Sequence, residues 1–231
     1  EPDLKTEVFG TKMDMPIFLS PTAMQSLYHP DGDKASARAA EKFGTIYSMS
    51  TMASFSIEEI ANLSSGPKIF QLYIHKDQSI TNDLIDRCKR ANFNGMCITV
   101  DTIVAGNRER DHRTGFTTPP KFTLDSLMSF AMRPQWVFNY FTHKKFELAN
   151  LKDKVEKGTN IAQSVMGYIN EQYDPAMNWE DAEYCIKKWN GPIALKGVMS
   201  VEDAKRAIDI GCTAIMLSLI HISEPTRRDQ I

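Results

Sequence analysis

The chain has 231 residues, of which 42% are hydrophobic, and 27 Lys and Arg stand against 29 Asp and Glu for a formal net charge of −2. That length and mixture suit one large or two small globular domains and exclude fibrous, collagenous and wholly disordered classes. With no basic excess there is nothing to hold a nucleic-acid backbone.

Ahead of the first apolar run, Val8-Phe9 and Met13-Asp14-Met15 flank Gly10-Thr11-Lys12, which predicts a small hairpin able to plug one end of a barrel. Short apolar runs bounded by turn or polar residues follow at 17–20, 46–49, 69–74, 96–100, 193–195 and 214–217. They read as six buried strands. Capped helical segments lie between them. Ser56 and Glu59 form a capping box before Ile57 and Ile60; Asp77 precedes Ile80, Leu84, Cys88 and Ala91 at helical spacing; Ser200 stands three residues before Asp203. Gly44 and Gly211 fall where helix C-caps belong.

Residues 102–178 interrupt this rhythm as a long insertion, with Pro119-Pro120, charge clusters and an aromatic stretch from Trp136 to Phe141. The aromatics Trp136, Phe138, Tyr140 and Phe141 are expected on a buried helix face, with membrane contact as the alternative. Asn178 is placed to cap a last helix over 179–189.

Alternating βα units imply a parallel sheet, and no GxGxxG or Walker motif supports an open nucleotide-binding one. The fold class is therefore α/β, an incomplete (β/α)8 TIM barrel with about six of its eight units. Chemistry in such barrels gathers at the C-terminal strand ends, which here carry Pro21-Thr22-Ala23, Ser50, Gln71, Tyr73, Thr99, Asp101 and Lys196. Taken singly, each has an ordinary structural reading. Arg108, within Arg108-Glu109-Arg110-Asp111, reads as a solvated charge; Lys196 could snorkel; Tyr73 and Asp101 could be a half-buried aromatic and a capping carboxylate.

Six segments in order carry a resemblance: M-P-I-F-L-S-P-T-A-M from Met15, S-M-S-T after Tyr47, F-Q-L-Y, T-V-D-T, N-R-E-R-D and P-I-A-L-K-G-V. The chain from about residue 4 to 217 resembles the FMN-dependent 2-hydroxy acid dehydrogenases and oxidases, a family that includes glycolate oxidase and the lactate and mandelate dehydrogenases. The resemblance implies FMN as cofactor and oxidation of an L-2-hydroxy acid, lactate-like, to the 2-oxo acid. It assigns Pro21, Thr22, Ala23, Ser50, Gln71, Thr99 and Lys196 to the flavin, and Tyr73 and Arg108 to the substrate. Asp101 is assigned to orienting a histidine base. The electron acceptor is unspecified, and a homo-oligomer is compatible with the intact parent.

The base itself is missing from its place. The family carries Ser-Asn-His-Gly-Gly-Arg-Gln after the sixth strand, whereas this chain reads Ser218-Leu219-Ile220-His221, with His221 one position late. His29, His75, His112 and His143 stand where the family places no base and read as structural or surface residues. Residues 1–217 thus read as a partial barrel, and residues 218–231 as a foreign tail resembling a translated sequencing adapter, a natural divergent terminus being the alternative. The chain as written is then expected to be a catalytically dead fragment with at most residual flavin binding.

No metal site is expected, since Cys88, Cys97, Cys185 and Cys212 form no CxxC pair and no Cys/His zinc spacing. They suit reduced thiols. Starting at Glu1-Pro2, the sequence shows no readable targeting signal, and its longest apolar stretch, 214–220, is far short of the roughly 20 residues of a spanning helix. A cytoplasmic location is expected, with peripheral membrane association left open.

Overall fold

The structure is a computed structural model and describes residues 2–102, 113, 124–143, 146–151 and 172–217. A hairpin comes first, β1 (Thr6–Val8) and β2 (Thr11–Met13), joined by a two-residue turn in which Phe9 and Gly10 both take positive φ, 56° and 66°. The turn is thus one residue earlier and one shorter than the sequence suggested. A two-residue turn of that hand matches the natural strand twist, which explains why it is preferred.

Five strands form one parallel sheet in the order β3 (Tyr47–Ser50), β4 (Lys68–Leu72), β5 (Gly95–Thr99), β6 (Ile193–Val198) and β7 (Ala214–Leu217). Each strand pairs with the next in sequence, as successive βα units of a barrel do. The first expected strand, 17–20, does not form. It makes a single parallel bridge, Leu19 to Tyr47, with Leu19 N–H donating to Ile46 O at 3.0 Å and Ser48 N–H donating to Leu19 O at 3.1 Å. Pro16 and Pro21 bracket it and supply no N–H, so the ladder cannot lengthen in either direction.

Helices α1 (Gly32–Lys42), α2 (Ile57–Leu63) and α3 (Gln78–Arg90) follow the bridge, β3 and β4. The capping box forms as expected: Glu59 N–H donates to Ser56 Oγ at 3.1 Å and Ser56 N–H to the Glu59 carboxylate at 2.9 Å. Asp77 caps α3 through Ser79 N–H. Beyond β5 come α4 (Leu124–Ala131) and α5 (Pro134–Thr142), then α6 (Trp179–Trp189), capped by Asn178, and α7 (Val201–Asp209), capped by Ser200. Gly44 and Gly211 end their helices at φ 59° and 103°.

Strand alternation divides the apolar residues between two compartments. Met49, Phe70, Leu72, Met96, Ile98, Ile193 and Leu195 pack outward against Ile57, Ile60, Leu84, Ile85, Cys185 and Trp189 of the helices. The opposite face is closed at its N-terminal end by Met13, Ile46 and Ile69, with Val8, Phe9 and Phe18 packed onto them. The hairpin therefore plugs the strand bottoms, as anticipated. What remains on this inner face, at the C-terminal strand ends, is polar.

One expectation fails. The aromatic stretch forms α5, but no residue of that helix is buried: Phe138 is 65% exposed and Phe141 79%. Stacking of Trp136 on Phe130 and Tyr140, and a bond from its ring N–H to Leu27 O, take the place of burial. The helix lies along α4 rather than over the sheet, so its outer face meets no apolar layer among the described residues.

Candidate functional site

Parallel register brings the polar strand ends side by side, pairing Ser50 with Gln71 and Thr99 with Lys196. Their side chains form a continuous run. Ser50 Oγ, accepting from Met52 N–H, donates to Gln71 Oε1 at 3.2 Å, and Gln71 Nε2 donates to Thr99 Oγ1 at 2.9 Å. All three are buried. Groups so enclosed keep fixed orientations, because swinging away would leave each without a partner.

Beside them Lys196 Nζ lies 3.5 Å from both oxygens of Asp101. Gly197 makes that approach feasible. It sits in a bulge of β6 at φ 103°, where a Cβ would come within 2.6 Å of Asp101 Cβ. Below the ring, Cys97 is buried and its thiol pushed up to about 12 by desolvation, so it stays protonated and unreactive.

Pro21, Thr22 and Ala23 run on from the Leu19 bridge and reach the same end of the sheet, where Met24 N–H donates to Met52 O at 3.0 Å. Thr22 is exposed and Ala23 rests against the core. Tyr73, just past β4, stacks on Tyr173 with centroids 4.5 Å apart and planes 29° from parallel. The two rings, with Thr99, Thr102, Asp174 and Met177, line a small cleft open to solvent. Burial raises the Tyr73 phenol above its ordinary value, keeping its proton available for donation.

Nine of the ten residues singled out from sequence thus gather at one end of one sheet, while Arg108 lies outside the described residues. His112 and His221 lie outside them too. His29 and His143 are exposed, and His75 is buried against Tyr173 with its pKa lowered to about 4, chiefly by desolvation. It is a neutral structural imidazole. Among the described residues no group of three or more His, Cys, Asp or Glu could hold a metal ion.

Three participants were not foreseen. Tyr173 arrives from the far end of the insertion, a distance over which periodicity carries no signal. Gly197 was detectable, since a glycine inside a strand marks a bulge or a close approach. Asp33, wholly buried at the start of α1, ties Gln25, Tyr47 and Ser54 together, and a carboxylate near a helix start ordinarily reads as exposed.

Comparisons with known proteins identify the family of the chain. A profile of the FMN-dependent dehydrogenase family matches residues 1–219. Glycolate oxidase of Spinacia oleracea is 36% identical over 216 residues, covering 94% of this chain and 53% of the relative. L-lactate dehydrogenase of Yersinia pestis (strain Pestoides F) is 33% identical over 219 residues, with 94% and 57% covered. The crystal structure of a monotopic membrane protein, (S)-mandelate dehydrogenase, superposes with a TM-score of 0.86 at 30% identity, covering 94% of this chain and 57% of that one.

The chain therefore belongs to the FMN-dependent dehydrogenase family, whose hydroxy acid oxidoreductases act on CH–OH donors. Its parallel sheet is the corresponding part of an incomplete barrel. It spans about half the length of the curated relatives it matches.

Proposed function

We propose that the strand-end ring binds FMN and that the whole protein oxidises an L-2-hydroxy acid of lactate type to the 2-oxo acid. The observation that carries this reading is the run Ser50, Gln71, Thr99 set beside the Lys196 and Asp101 pair on one sheet end. Its donor set suits the polar edge of an isoalloxazine, which presents acceptors and one N–H. Gln71 offers both a donor and an acceptor, the hydroxyls adapt to either, and Lys196 supplies a fixed positive charge. Pro21, Thr22 and Ala23 would enclose the ring from the side. FMN, when bound, accepts the two electrons that leave the hydroxy acid.

The remaining roles concern the acid. Tyr73, its phenol kept protonated, donates to the substrate from the cleft wall. Arg108, given its role by resemblance alone, grips the carboxylate with a bidentate fork. Asp101 orients and charge-stabilises the histidine that takes the proton from the hydroxy acid. The lactate-like choice rests on the length of the insertion and its Arg133-Pro134-Gln135-Trp136 segment, which resemble the bacterial lactate and mandelate dehydrogenases.

A second reading applies to the 231 residues by themselves: a catalytically dead fragment with at most residual flavin binding. It is favoured by Ile220 standing where the family has its base. We also propose that α4 and α5 touch a membrane surface, from the exposure of Leu124, Met128, Phe138 and Phe141 and from likeness to the monotopic mandelate dehydrogenase. Among the described residues no helix is long and apolar enough to cross a bilayer.

Adding L-lactate without oxygen to the FMN-loaded chain separates the two catalytic readings. Bleaching of the flavin band supports turnover. An unchanged band in a chain that holds FMN supports the silent reading.

A further inference from the structure

We propose that Asp33 is a positioning residue of the flavin site, its carboxylate fixing the loop that carries Pro21, Thr22 and Ala23 to the loop that follows β3. The inference rests on the reading that these loops hold FMN. Asp33 is fully buried at the second position of α1, and donors converge on it from separate parts of the chain. Tyr47 Oη donates to Oδ1 at 2.9 Å, Gln25 Nε2 donates to Oδ1 at 3.2 Å, and Ser54 N–H donates to Oδ2 at 2.9 Å.

Gln25 extends the link to the flavin loop itself. The same Nε2 donates to Thr22 O at 3.3 Å, while Oε1 accepts from Ser36 Oγ at 2.6 Å. The loops are then closed onto each other by Met24 N–H to Met52 O at 3.0 Å and Ser26 N–H to Ser54 Oγ at 3.1 Å. Thr22 on one side and Ser50 on the other are thereby tied through the buried carboxylate together with these two direct bonds.

The chemistry of the acceptor is specific. Tyr47, Gln25 and Ser54 all donate to Asp33, and the Phe55 backbone bonds it as well, so a group with two accepting oxygens suits the position. An asparagine would turn an N–H toward one donor and break that tie. Burial raises the Asp33 carboxyl above its ordinary range, while its hydrogen bonds from Tyr47 and Ser54 work in the opposite direction. A neutral or apolar residue would anchor α1 with less penalty. What the carboxylate adds is simultaneous attachment of both loops to Tyr47 at the head of β3.

Amide hydrogen exchange and FMN titration on the full chain test this, comparing wild type with Asp33→Asn and Gln25→Met. With Asp33→Asn, amides at 22–28 and 51–55 should exchange about tenfold faster or more, while those of β4 and β5 keep their rates. Gln25 is only partly buried, so Gln25→Met keeps the core and should loosen 22–28 alone. Both variants should weaken FMN binding about tenfold, the loss expected when one charge-assisted bond no longer holds a loop. Unchanged loop exchange in both variants, or equal acceleration throughout the sheet, overturns the proposal. If Asp33→Asn does not fold, unchanged exchange at 22–28 in Gln25→Met overturns it alone. Failure of wild type to bind FMN would instead strike the flavin reading, and loop exchange would still decide whether Asp33 locks the loops.

Discussion

Asp101 lies directly against the Cα of Gly197, and from there its carboxylate reaches the Lys196 ammonium at 3.5 Å. Two strands are therefore coupled through a residue with no side chain. Gly197→Ala should displace Asp101 and force an alanine to φ 103°, costing about 1–3 kcal/mol. A denaturant midpoint measures the loss. Stability equal to wild type would show that the bulge tolerates a Cβ.

Asp101→Asn, by contrast, should leave stability within about 1 kcal/mol of wild type, because an ion pair with partly open side chains contributes little. Thermal unfolding checks this. A large fall would mean that the pair holds the sheet together rather than serving the site.

His75 makes stability depend on pH. Its folded-state value of about 4 lies below the ordinary 6.5, so between those values the unfolded chain binds the extra proton. The stabilisation is fully present above pH 6.5 and is lost as pH falls toward 4, to a total of about 3 kcal/mol. His75→Gln should flatten that part of the profile, followed by urea unfolding at each pH. A slope retained in the variant would assign it to another group.

Arg87 joins α2, α3 and the segment 146–151. It donates twice to Glu58 at 2.7 Å and to both Asn150 O and Asn150 Oδ1 at 3.2 Å, while Ile57 N–H also donates to Asn150 Oδ1. The Arg87 hydrogen bond holds the Glu58 carboxyl down to about 2, so its contribution is present above about pH 4.5 and fades as pH falls through 2. Half exposure of Glu58 keeps that amount below about 1 kcal/mol. Asn150→Ala, which strips a buried amide N–H of its acceptor, should cost about 1–3 kcal/mol and release the segment to protease. Unaltered cleavage would contradict the anchoring role.

How much of this was legible varies with the range over which each signal acts. Caps are local: Ser56 with Glu59, Asp77, Asn178 and Ser200 each bond a backbone N–H two or three residues away, so sequence locates them. Most strands of the parallel sheet also announce themselves, because burial on both faces leaves apolar runs, although β7, expected to be buried, is only partly so. The run at 17–20 looked the same and failed for want of ladder donors at its two prolines. Site residues at strand ends followed from the barrel rule and the ordered motifs. Tyr173 and the Asp33 clamp depend on contacts between distant segments that no spacing encodes. The α5 aromatics misled because their composition is that of a core helix, while position in the chain puts them outside it.

The account stands most directly on FMN titration of the chain, followed by flavin fluorescence in wild type, Gln71→Leu and Lys196→Met. It predicts saturable 1:1 binding by wild type, weakened about tenfold or more by either substitution, since each removes a polar group aimed at the ring's edge. Equal affinity in all three proteins, or no saturable binding by wild type, would contradict it.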